Sequence, residues 1–310
     1  MIEDSSRFTL RQVSCFVAAC EEGGVGAAAT RLHLAQATVS AAIADLERTL
    51  AVPLLVRGPR QRAVPTPVGR DLLPEARAVL DAAASLGERS AELRGTVAGE
   101  LPVGFLVTVA PVAAPRVFTA FESRWPEAQA VLRTGDQETL FDWLRTSEID
   151  LAVTYDLGLD DAVRFEALAT YPPYALFGAG HRLVRRRSVT LAELAAEPLI
   201  LLDMPLSREY FLSLFKDAGV EPWIARRGGD PELVRSLVAH GYGYTLANAL
   251  PRATQAVDGT PLRAVAVRGP VTAPRIGIAR RAGVGPTRTA AAFAEACAAV
   301  LGEDGAASAR

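Results

Sequence analysis

The stretch QATVSAAIADLE, Gln36 to Glu47, constrains this chain more than any other. Val39, Ile43 and Leu46 recur at helical spacing with Ala42 beside them, so one face is made to be buried. The opposite face is read as carrying Gln36, Thr38 and Ser40, short hydrogen-bonding side chains near the helix start. VGAAATRL (Val25 to Leu32) immediately before it reads as a shorter amphipathic helix, and HLA between them allows only a tight turn. Two short helices, a brief turn and a polar N-terminal face make a helix-turn-helix. In that motif the second helix enters the DNA major groove with its early residues against base edges. Gln36, Thr38 and Ser40 are therefore the candidate base-reading residues.

The flanking sequence extends this arrangement. FTLRQVSCFVAACEEG predicts a first helix with an apolar stripe of Leu10, Val13, Phe16, Val17 and Cys20, and Gly23 as its C-cap. VPLLVRGPRQRAVPT fits a two-stranded wing turning at Gly58-Pro59, with Arg57, Arg60 and Arg62 as candidate phosphate contacts. An ordinary hairpin with solvated charges is the alternative. Placement carries this assignment, because residues 1–66 hold seven arginines against six acids and the whole chain is at −2. Thr66-Pro67 then reads as an N-cap with proline at the first helical position. The helix from Val68 to Leu93 repeats Leu72, Val79, Leu86 and Leu93 every seventh residue, a seam suited to a second copy of itself, or else to its own domain.

Gly95 to Gly99 reads as a hinge. Beyond it short apolar strands alternate with helices, which predicts an α/β fold with largely parallel sheets. Ligands of such sheets sit beyond the carboxyl ends of strands, beside helix N-termini. The positions there are Val107, Thr108, Asp136, Tyr155, Asp203, Met204 and Ser207, of which Thr108, Asp136 and Ser207 could equally be plain N-caps. Asp136, Asp156 and Asp203 at this edge favour a cationic or zwitterionic ligand, with Asp136 or Asp203 as its counter-charge; the equal alternative is that these aspartates cap helices and point away from the cleft.

Catalytic arrangements are hard to find. His33, His181 and His240 lie in unrelated elements, and no metal-ligand spacing, nucleophile elbow or phosphate-cradling loop is present. No catalytic residue, metal or cofactor is expected. Cys15, Cys20 and Cys297 form no metal-like spacing, and Cys15 and Cys20, in an apolar helical pattern, read as buried thiols. No run approaches the ~18 apolar residues of a membrane span, and MIEDSSRFTLRQ is no signal peptide, so a cytoplasmic protein is expected.

The stretches FTLRQVSCFVAACEEGG, AATRLHLAQATVSAAIADLE, VPLLVR and PTPVGRDLLPEA resemble the LysR-type transcriptional regulators. The resemblance implies a winged helix-turn-helix over 1–66, a linker (dimerisation) helix and hinge over 67–97, and an effector-binding domain over 98–305. That domain would be two-lobed and periplasmic-binding-protein-like, lobe one 98–167 plus 271–305 and lobe two 168–270, joined by two crossover segments. It implies a regulator binding double-stranded operator DNA as a dimer of dimers, paired through the linker helix, with a small-molecule effector between the lobes. Thr108 aligns with the hydroxyl residue that often contacts effector. The family includes cysteine-based oxidant sensors, but no cysteine pair lies in the lobe where such a switch would sit. The chain departs from the pattern at Ala37, where proline is common, and at Ala41, where a basic residue is common. The rivals are a solute-binding protein or an enzyme on the same two-lobed fold.

Overall fold

The computed structural model describes residues 8–57, 63–94, 96–248 and 254–308. The chain forms two compact units, Met1–Arg94 and Gly95–Arg310. The first contains helices α1 (Leu10–Glu21), α2 (Val25–Arg31) and α3 (Gln36–Leu50), strands β1 (Leu55–Arg57) and β2 (Ala63–Pro65), and helix α4 (Pro67–Arg94).

α1 starts where Thr9 and Gln12 cap each other reciprocally, which satisfies two of the donors a helix start leaves orphaned. Val13, Phe16 and Val17 bury its inner face, Cys20 packs at the edge of that core, and Leu10 at the first position stays half exposed. Gly23 follows with φ of 67°, the left-handed residue expected after a helix end. The turn between α2 and α3 holds His33 at φ 51° and returns Leu34 N–H to the Ala29 carbonyl at 2.9 Å. Val39, Ile43 and Leu46 of α3 close the core against α1.

β1 and β2 pair antiparallel, Leu55 opposite Pro65. The turn expected at Gly58-Pro59 lies outside the described residues. Glu47 fixes the approach to β1, its carboxylate accepting from Leu54 N–H at 2.7 Å and Leu55 N–H at 3.0 Å. Thr66 fixes the exit. Its buried hydroxyl donates to the Pro53 carbonyl at 2.7 Å and accepts from Gly69 N–H at 2.8 Å, which caps α4 as the sequence predicts. A Cβ on Gly69 would stand 2.1 Å from the Leu54 carbonyl oxygen, so only glycine lets the two backbones touch here.

α4 is continuous through Pro74. Leu72, Leu73, Ala76 and Leu80 pack on the core of the first unit. The seven-residue seam therefore divides. Leu72 is committed to its own domain, Val79 and Leu86 are exposed, and the Leu93 side chain lies outside the described residues.

The second unit holds two sheets. The first runs β4-β3-β5-β13-β6, with β3 (Gly99–Leu106), β4 (Ala128–Gly135), β5 (Leu151–Tyr155), β6 (Val163–Thr170) and β13 (Arg275–Arg281). The second runs β10-β9-β11-β7-β12-β8, with β7 (Tyr174–Gly178), β8 (Ser188–Thr190), β9 (Leu199–Leu202), β10 (Ile224–Gly228), β11 (Tyr244–Ala247) and β12 (Leu262–Arg268). The chain passes between them twice, from β6 to β7 and from β12 to β13, giving the two lobes and the two crossovers.

Both sheets are mixed rather than largely parallel. β13 lies antiparallel to β5 and β6, and β7 antiparallel to β11 and β12. β6, β8 and β12 are the strands least marked in the sequence. β6 and β12 have mostly solvated residues and β8 is three residues long, so none shows a long apolar run. β6 also carries the first lobe's sheet to Thr170, past the expected boundary at 167.

Helices α5 (Ala110–Arg124) and α6 (Gln137–Arg145) follow β3 and β4. α7 (Leu191–Ala195), α8 (Ser207–Asp217) and α9 (Pro231–Ala239) follow β8, β9 and β10, and α10 (Arg288–Ser308) ends the unit. α10 runs past Leu301 to Ser308. Phe293 on α10 meets Phe105 and Phe121 edge-on at 6.4 and 5.2 Å, locking the last helix onto the first lobe. Among the described residues no helix is long and apolar enough to cross a membrane.

Candidate functional site

In the first unit the exposed face of α3 can be read from its geometry. With Val39, Ile43 and Leu46 inward, a turn of about 100° per residue points Ala37, Ala41 and Arg48 outward, and all three are exposed. Gln36 and Thr38 are exposed and Ser40 is half-buried, but they flank that face rather than centre it. The centre of the outward surface is thus two alanine methyls. The first residue is preceded by Ala35, which offers no side-chain cap.

Several nearby cations are already engaged. Arg48 pairs with Asp45 at 2.6 Å, Arg31 with Glu21 at 2.5 Å, and Arg77 with Glu21 at 3.1 Å, so Glu21 joins α1 to α2 and α4. The side chain of Arg57, and all of Arg60 and Arg62, lie outside the described residues.

In the second unit a cavity of about 720 Å³ opens between the lobes. Lobe one contributes the end of β3 and the inner face of α5, including Val107, Thr108, Pro111 and Val112. Lobe two contributes β7, β11 and the start of α9, including Tyr174, Leu176, Thr245 and Val234. Its size and apolar walls match a small-molecule site.

Of the seven sequence candidates, Val107 and Thr108 line this cavity and the other five do not. Asp136 caps α6, accepting from Thr139 N–H at 2.8 Å. Tyr155 is buried, and its phenol is pushed well above its usual range by burial; its hydroxyl has no partner among the described residues. Met204 is buried in the second lobe's core, and Ser207 begins α8 after Leu206, a non-glycine residue at φ 62°.

The acids expected to meet a cation are all occupied. Asp203 pairs with Arg208 at 2.7 Å and Arg227 at 3.6 Å, and the hydrogen bond from Arg208 holds its carboxyl below the usual range. Asp156 accepts from Arg275 N–H at 2.8 Å and Nε at 2.6 Å, tying β5 to β13. The expectation of a cationic ligand thereby loses its counter-charges. Strand ends hold these acids, but a helix cap three residues on uses Asp136, Arg208 five residues on uses Asp203, and Arg275, which only folding brings near, uses Asp156.

Other residues that shape the cleft escape the sequence reading. Buried Gln137 donates its side-chain amide to the Tyr155 and Leu157 carbonyls, fixing the chain as it leaves β5. At the crossovers, Asn248 donates to the Tyr171 carbonyl at 2.9 Å and Tyr210 to the Thr272 carbonyl at 2.9 Å, so lobe two grips both connections. Nothing in the local sequence marks these amides and phenols. The three thiols are protected: burial raises all of them, Cys20 to about 11. A thiol so shifted carries little of the thiolate that reacts with oxidants.

A helix-turn-helix unit and a two-lobed α/β unit with a cavity between its lobes define a ligand-responsive DNA-binding regulator. Comparison with known proteins gives the family. Residues 10–70 match the bacterial regulatory helix-turn-helix protein of the lysR family, and residues 94–302 match the LysR substrate binding domain. The chain belongs to the LysR family and is a LysR-type DNA-binding transcriptional regulator with a substrate-binding effector domain.

Among curated relatives, the HTH-type transcriptional regulator TfdS of Cupriavidus pinatubonensis is 34% identical over 243 residues, 77% of this chain and 82% of that one. Among solved structures, HinK, a LysR family regulator from Pseudomonas aeruginosa, is 32% identical with a TM-score of 0.64, covering 96% of this chain and 99% of that one. Full-length CbnR complexed with its target DNA is 26% identical with a TM-score of 0.67, covering 94% and 99%.

Proposed function

We propose that this regulator reads its operator with α3, pairs with further copies through the exposed part of α4, and takes a small-molecule effector in the cavity between its lobes. The observation that carries the effector site is that both lobes build the walls, Thr108 and Val112 from one and Leu176 and Thr245 from the other. A molecule held there has different contacts in open and closed arrangements of the lobes, and such a difference in affinity is what shifts a conformational equilibrium. Gln36, Thr38 and Ser40 remain the base-reading candidates on the flanks of α3, with Arg57, Arg60 and Arg62 toward phosphates. Binding rather than catalysis is favoured because the cleft-edge acids Asp136, Asp156 and Asp203 already cap or pair. The assembly is a dimer of dimers and the compartment the cytoplasm.

Mobility-shift titration against the chain's own upstream region, at several salt concentrations, tests this reading. Thr38→Ala is expected to weaken a matched site by about 1–3 kcal/mol and to relax preference at one base position. Unchanged discrimination would remove α3 as the reading helix. Absence of any sequence-dependent shift would favour a solute-binding or enzymatic role.

A further inference from the structure

We propose that the cavity's ligand is a neutral, largely apolar small molecule with one hydrogen-bonding group, recognised by the Thr245 hydroxyl. This rests on the reading of the cavity as the effector site. Three features of the walls lead to it.

The first is the absence of ready ion holders. Helices α5 and α9 both open on the cavity, and helix starts usually bind anions through free N–H groups. Here Pro111 and Pro231 stand in the first turns of those two helices, and each removes one N–H from its start.

The second is the charge balance. The lining carries two arginines, Arg116 and Arg235, and two acids, Asp230 and Glu232, so its formal charge is zero. These groups are also engaged. Asp230 accepts from Leu233 N–H at 2.7 Å, Glu232 pairs with Arg235 at 3.3 Å, and Arg235 donates to the Gln255 carbonyl at 3.0 Å. Arg116 has an interaction of its own. An ionic ligand would lose its hydration without gaining an unshared counter-charge, a costly exchange in an apolar site.

The third is the pair of hydroxyls. Thr245 lies on β11 opposite Leu176 of β7, hence on the same sheet face, and both line the cavity. As a residue Thr245 is 4% exposed, and among the described residues its hydroxyl has no hydrogen-bond partner. The Thr108 hydroxyl, from the other lobe, is likewise without one among the described residues. A hydroxyl that opens on an apolar cavity from a buried residue gains a partner when a ligand hydroxyl or carbonyl enters. A neutral group suffices, because a threonine can donate or accept.

The test uses the full chain and probes that share one apolar body: 4-tert-butylphenol and 4-tert-butylcyclohexanone as neutral members, 4-tert-butylbenzoate as the anion and 4-tert-butylbenzylammonium as the cation. Isothermal titration is expected to show a neutral member binding at least about tenfold tighter than either ion. Thr245→Val should weaken that binding about tenfold, while Thr245→Ser keeps most of it. Val112→Phe and, independently, Val257→Trp should reduce it by filling space, with tryptophan emission confirming that each variant is folded. An ion that binds as tightly as the neutral members, and is blocked by the filling variants, overturns the ligand class and leaves the cavity as the effector site. Neutral binding that survives both filling variants overturns the site itself. No binding by either neutral probe up to its solubility also overturns the proposal.

Discussion

Thr66→Val should loosen the first unit while leaving the second untouched. The change keeps the branched shape and deletes one hydroxyl, which donates to the Pro53 carbonyl at 2.7 Å and accepts from Gly69 N–H at 2.8 Å. Residue 66 is 7% exposed, so the Gly69 N–H would be left in a place water reaches poorly. Loss of such a cap costs about 0.5–2 kcal/mol. The Pro53 carbonyl is only part-buried and can turn to solvent, so its loss adds a smaller amount. A total of about 2 kcal/mol is an opening equilibrium shifted roughly 30-fold.

Hydrogen exchange on the full chain reads this directly, as a drop of that size in amides of α1, α3 and the first turns of α4. All three tryptophans, Trp125, Trp143 and Trp223, lie in the second unit, so the fluorescence melt should not move. Thr66→Ser, which keeps the hydroxyl, should stay close to wild type. A change below about threefold with Thr66→Val, or equal effects of valine and serine, would refute the assignment of this hydroxyl as the joint between wing and linker helix.

Further outcomes follow from other surfaces. Ala41→Arg places a cation at the centre of the exposed face of α3; non-specific DNA affinity should rise, and the slope of log K against log salt should steepen by about 0.9. A slope that does not change would mean that this face is turned from the phosphates. Val79→Glu with Leu86→Glu puts charges on the exposed part of α4, and sedimentation should show dissociation with the melt of the first unit retained. An oligomer that persists with full DNA affinity would exclude that seam. Peroxide should leave operator binding unchanged between pH 6 and 8, because Cys15, Cys20 and Cys297 stay protonated below their raised pKa values. Peroxide-dependent binding abolished by Cys20→Ser would contradict this.

Features written in local periodicity can be read from the residues alone. The spacing of Val39, Ile43 and Leu46 specifies a helix with one buried face whatever surrounds it, and Thr66-Pro67 announces a helix start because both preferences are local. Alternation of apolar strands and helices likewise implied an α/β unit, though its division into two lobes followed only from the family resemblance, and placing Thr108 at a strand end put it among the cavity-lining residues. Periodicity also had a limit on α3 itself, where counting polar residues suggested a face that the helical turn centres instead on Ala37 and Ala41.

Features that depend on contacts across the fold become visible when the chain is packed. Leu72 could serve a second subunit or its own domain, and packing beside Leu73, Ala76 and Leu80 settles that choice. Asp156 looked like a ligand group until Arg275, 119 residues away in sequence, was brought beside it, and Asp203 gains Arg227 from β10 besides its sequence neighbour Arg208. Leu176 and Thr245 read as ordinary strand residues, and their place in the cavity comes from antiparallel pairing of β7 with β11. A strand's pattern tells which residues share a face; which face meets a cavity is set by the register and by the layer across from it.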